Sequence, residues 1–144
     1  MYQLEFTREE IEETVRTARL LAMELELGAG CNPHCPHCYV PRRSSSGEAL
    51  SEEVVANVIL QARDRGARRI TILDREVEGH RRLSPTTRFV RSQGLDVEVI
   101  TNGSGITAET ARELFEARVP VALRMDSLDE ETQDLLTGTE GSFQ

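Results

Sequence analysis

The feature that most constrains this chain is a repeated alternation between short apolar strand patterns and amphipathic helix patterns. Met23 to Leu27 alternates, with Met23, Leu25 and Leu27 on one face and Glu24 and Glu26 on the other, which is the period of a half-buried strand. Ser51 is placed to cap a helix whose Val54, Val55, Val58, Ile59 and Ala62 form an apolar stripe ending at Gly66. Arg69 to Leu73 reads as a buried strand. Ser84-Pro85 predicts an N-cap followed by proline at the first helical position, with the helix running through Phe89 and Val90 to Gly94. Asp96 to Thr101 is the next strand, Thr107 caps a helix carrying Ala111, Leu114 and Phe115, and Val119 to Met125 is a fourth strand. Pro120 suits only a strand start or edge. Ser127-Leu128-Asp129-Glu130 has capping-box spacing before a last helix.

Ahead of these units, Thr7-Arg8-Glu9-Glu10 is a further capping box, and Ile11, Val15, Ala18 and Ala22 recur at helical spacing. Residues 1–22 therefore predict an N-terminal helical extension. Strands that alternate with helices pair in parallel through right-handed crossovers. The expected fold class is α/β: a partial (β/α) barrel of about four parallel βα units, in a single domain over residues 1–144. A complete eight-unit barrel needs about 250 residues, which this length excludes.

Charge removes several functions. The 17 basic and 25 acidic side chains give a net charge of −8, the wrong sign for a nucleic-acid clamp. The sequence holds no lysine, and its arginines are scattered from Arg8 to Arg124, as on solvated helix faces. No apolar run approaches the roughly 20 residues of a membrane span. Met1 to Glu13 is too acidic for a secretory leader. A cytoplasmic protein with neither nucleic-acid nor membrane partners is expected.

The 3 cysteines, Cys31, Cys35 and Cys38, all fall in the loop after the first strand, spaced Cys-x3-Cys-x2-Cys. An odd count cannot close into disulfides without leaving a thiol, so the cluster points to metal. Three soft thiolates suit an iron-sulfur cluster, and a cubane held by three of them keeps one iron open to an outside ligand. Zinc is the other reading, with Cys31, Cys35, Cys38 and either His34 or His37 as a Cys3His set. His80, beside Gly79 and Arg81, reads as a turn residue.

Cys31 to Tyr39, with Val99-Ile100-Thr101-Asn102-Gly103 and Met125-Asp126-Ser127-Leu128-Asp129, resembles the radical S-adenosylmethionine (radical SAM) superfamily over roughly residues 20 to 144. The resemblance implies a 4Fe-4S cluster on Cys31, Cys35 and Cys38, whose open iron chelates S-adenosylmethionine. It further implies a one-electron donor, reductive cleavage to a 5′-deoxyadenosyl radical, and hydrogen abstraction from a substrate the sequence does not name. Five positions fall where the family makes cofactor contacts: His37 before the last cysteine, Glu76 after the second strand, Thr101 ending the third, and around the fourth Asp126, with Arg124 in place of the family's serine. The family's Gly-Gly-Glu turn reads Asp74-Arg75-Glu76 here. The alternative is a metal-binding half barrel without independent catalysis. Either way, an apolar fourth strand at a sheet edge invites a homodimer or a partner chain supplying the missing units.

Overall fold

The computed structural model describes residues 5–28, 31, 35–38, 49–74 and 80–143. The serine-rich Arg42 to Gly47 stretch, His34, Tyr39 and Glu76 lie outside these residues. The elements run α1 (Arg8–Thr17), β1 (Ala22–Glu26), α2 (Glu52–Asp64), β2 (Arg69–Asp74), α3 (His80–Ser92), β3 (Asp96–Thr101), α4 (Ala108–Glu116), β4 (Val121–Leu123) and α5 (Glu130–Thr137). The strands form one parallel sheet in the order β1-β2-β3-β4, so each helix α2 to α5 follows its strand and the chain makes a partial barrel.

Register explains the alternation. Met23, Ile70 and Val97 share one row, and Leu25, Ile72 and Val99 another. These rows face the helices and pack against Val55, Ile59, Leu83, Val90 and Leu114 in a single core. The opposite face carries Glu24, Thr71 and Glu98 in register. There the Thr71 hydroxyl donates to the Glu98 carboxylate at 2.6 Å, and Arg69 Nε approaches the same oxygen at 3.6 Å. The Arg69 guanidinium also lies 4.6 Å from the centroid of Phe6, which ties the N-terminal segment to this face by a cation–π contact. Glu10 closes the α1 capping box with Thr7 and pairs with Arg68.

Five expectations are corrected. Helix α1 stops at Thr17, where Ala18 turns left-handed, and Ala22 opens β1 instead of continuing the helix. Helix α3 begins at His80, and Pro85 lies inside it. Its buried positions are Leu83, Ser84, Thr86, Thr87 and Val90, so the helical stripe starts before the proline, which forfeits one backbone bond to Arg81. Strand β4 is shorter than Val119 to Met125 because Pro120 has no N–H and the Val119 N–H turns back to Leu114 O at 2.9 Å. Helix α5 is capped by Asp129, whose side chain accepts from Thr132 N–H, while Ser127 accepts from Asp129 N–H. Phe115, expected on the apolar side of α4, is 83% exposed, and Leu114 alone of that pair reaches the core.

Candidate cofactor site

Parallel strands deliver their following loops to one end of the sheet, and that geometry assembles the site. The loops after β1, β3 and β4 line a cleft of about 130 Å³. Cys31, Cys35, His37 and Cys38 come from the first loop, Asn102 and Ser104 from the second, and Arg124 and Asp126 from the third. Gln133, Thr137 and Ser142 supply the remaining wall. Cys31 and Cys38 are exposed and Cys35 is half-buried. A turn is fixed between two of them by the Cys38 N–H donating to Cys35 O at 3.1 Å.

The β4 loop meets the cysteine loop directly. Arg124 Nη2 lies 3.3 Å from His37 Nε2, and His37 Nε2 lies 3.9 Å from Asp126. A guanidinium only donates, so in the nearer contact Nε2 is placed as the acceptor. Arg124 Nε also reaches Asp126 at 3.5 Å. Gln133, only 4% exposed, fixes the backbone beneath: its Oε1 accepts from Asp126 N–H at 3.0 Å and Ser127 N–H at 2.9 Å. Asp134 holds the turn that follows α5, accepting from Gly141 N–H at 2.7 Å and the Ser142 hydroxyl at 2.9 Å. The Gly141 bond foremost, with Ser142 adding, holds the Asp134 carboxyl below its usual range. Asp129 is lowered likewise by its Thr132 side-chain bond and then by the Thr132 N–H.

Of the residues singled out from the sequence, Cys31, Cys35, Cys38, His37, Arg124 and Asp126 share the cleft. Thr101 is buried below it, its hydroxyl accepting from Gly103 N–H at 3.1 Å and its carbonyl from Arg124 N–H at 2.8 Å. Ser104 and Gln133 do not stand out in the sequence, and Asn102 enters there only within the Val99-to-Gly103 resemblance, with no role of its own. For Asn102 a signal existed in its place directly after the third strand, where barrel loops carry polar site residues. Gln133 and Thr137 are the buried pair of α5 while Leu135 is 73% exposed, an inversion that hydrophobic periodicity conceals.

The radical SAM superfamily model matches residues 25–144, and the chain belongs to that superfamily. It is 31% identical over 138 residues to the PqqA peptide cyclase of Rhizobium meliloti (strain 1021), covering 92% of this chain and 37% of the cyclase. Its fold is similar to that of Streptococcus suis SuiB, with a TM-score of 0.71 at 18% identity over 92% of this chain and 31% of the other. It is also similar to native anSMEcpe with bound AdoMet and a Cp18Cys peptide, with a TM-score of 0.63 at 19% identity over 81% of this chain and 34% of that one. The chain spans about a third of the length of the curated relatives it matches. No helix among the described residues is long and apolar enough to cross a membrane.

Proposed function

We propose that this chain is the cofactor-holding part of a radical SAM enzyme, with Cys31, Cys35 and Cys38 as ligands of a 4Fe-4S cluster beside S-adenosylmethionine. The observation that carries the reading is three cysteine thiols around one cleft at the loop end of a parallel sheet. The donor set fits the group: thiolates are soft ligands, and in a cubane each binds a different iron, so they stand around the cluster. Zinc takes the same soft thiolates with a histidine as fourth ligand, and uptake of sulfide on reconstitution separates the two readings. When bound, cluster and S-adenosylmethionine supply a 5′-deoxyadenosyl radical by one-electron reductive cleavage.

The chain's own residues bind and orient. Arg124 offers a planar donor fork suited to a carboxylate, and the neighbouring Asp126 holds it in place. His37 links the cysteine loop to Arg124, which keeps the metal ligands and the β4 loop in one arrangement. Thr101 shapes the turn that carries Asn102, and Glu76 takes its proposed role from the family resemblance alone. A one-electron donor and a separate substrate complete the reaction.

Anaerobic reconstitution should load about four iron and four sulfide per chain. Cys35→Ala should abolish loading, and dithionite with S-adenosylmethionine should yield 5′-deoxyadenosine. Firm binding of one zinc without sulfide would overturn the reading. A second reading, in which catalysis needs a homodimer or a partner chain over the sheet edge, is favoured by Val121 and Leu123 on β4, which are 45% and 55% exposed. Loaded protein that produces no 5′-deoxyadenosine until a partner is supplied would support that reading.

A further inference from the structure

Asn102 bridges two loops that are 71 residues apart: its Nδ2 lies 3.8 Å from Cys31 Sγ. Which end of a carboxamide is nitrogen is normally settled by its partners, and here they are decisive. The Ser104 N–H and the Ser104 hydroxyl both reach the other carboxamide atom, at 2.9 and 2.7 Å. Two donors require that atom to be the oxygen, so the NH2 must face the sulfur. The turn that holds this orientation is itself pinned, since Gly103 N–H donates to the buried Thr101 hydroxyl at 3.1 Å. The amide is therefore aimed at Cys31 by local structure.

On the reading that Cys31 is a cluster ligand, we infer that Asn102 is a positioning residue that sets the cluster's reduction potential through an N–H···S bond to Cys31. A donor dipole at a ligand sulfur stabilises negative charge, and the added electron of the reduced cluster raises the charge on its sulfurs. The bond thus favours the reduced state and raises the potential, one of the means by which proteins tune such clusters. It serves an enzyme that must hold a strongly reducing electron without making reduction unattainable.

Wild type, Asn102→Ala, Asn102→Asp and Ser104→Ala are reconstituted anaerobically, assayed for iron and sulfide, and titrated with dithionite while the reduced cluster is followed by electron paramagnetic resonance. Asn102→Ala should shift the equilibrium about tenfold toward the oxidised cluster, a fall of about 59 mV for a one-electron couple. Asn102→Asp keeps the acceptor for Ser104 but replaces the donor by a carboxylate oxygen, so its potential should fall at least as far. Ser104→Ala leaves the donor and the Ser104 N–H anchor, and should shift the potential much less. Equal potentials in wild type and both Asn102 variants overturn the inference while leaving the cluster reading intact. Loss of iron from both Asn102 variants also overturns it, by giving Asn102 a role in building the loop. A wild type that takes up no iron and sulfide overturns the cluster reading, and the inference with it.

Discussion

Replacing Gly103 with alanine should destabilise the chain by about 1–3 kcal/mol, and mainly through the backbone. Gly103 sits at φ +80, between Asn102 and Ser104 of the cleft. An L-residue in that left-handed region costs roughly 1–2 kcal/mol. A Cβ there would also lie 2.6 Å from Leu123 Cδ1, closer than real contacts allow. That atom is the tip of a side chain 55% exposed, so Leu123 can swing outward, at no more than the ~0.5–1.5 kcal/mol of a strained rotamer. Gly94 supplies the control: its φ is +76 and a Cβ would meet nothing within 4 Å, so Gly94→Ala isolates the backbone cost. Urea unfolding of both variants, with the Gly103→Ala/Leu123→Ala double variant, separates the two contributions. The double variant should recover only the excess of Gly103→Ala over Gly94→Ala. In a thermal scan each kcal/mol should lower Tm by about 2–4 °C for a chain of this size. A Gly103→Ala protein as stable as wild type would refute the argument, because Gly→Ala at an ordinary φ stabilises by about 0.4–1 kcal/mol.

Gln133→Leu removes the acceptor for the Asp126 and Ser127 N–H groups, and at about 0.5–1.5 kcal/mol per bond should cost about 1–3 kcal/mol. A urea midpoint within error of wild type would show that water replaces the glutamine. For Asp134 the folded carboxyl titrates below its unfolded value, so its contribution is complete above about pH 4 and is lost as pH falls through the lowered value. Asp134→Asn should therefore flatten the acid limb of stability against pH while changing little of its slope near neutrality; an unchanged acid limb would count against the Gly141 bond. The exposed edge of β4 should drive association at tens of micromolar, screened charge opposing it only weakly, and light scattering showing a monomer at every concentration would sink that expectation.

Much of the fold is local and so was readable in the chain. Thr7, Ser51 and Thr107 cap helices through their own side chains, and the Met23–Leu27 alternation has its hydrophobic residues on the helix side. The cysteine spacing alone brought the three thiols together, because residues so close in sequence cannot be far apart in space. Other features required the sheet. Pro85 marks a helix start by local rule, yet Leu83 must reach the core beside Val90, and burial outweighs one missing backbone bond. Ser127 has the capping-box spacing, but Asp129 takes the cap because Gln133 already holds the backbone at Asp126 and Ser127. The same reason governs the site. Sequence supplied Cys31, His37, Arg124 and Asp126 as separate candidates, whereas their meeting depends on parallel strands bringing successive loops to one end. Asn102 and Gln133 act through contacts with residues that only this register makes neighbours or that α5 turns inward, and no periodicity in the chain encodes a distance of that kind.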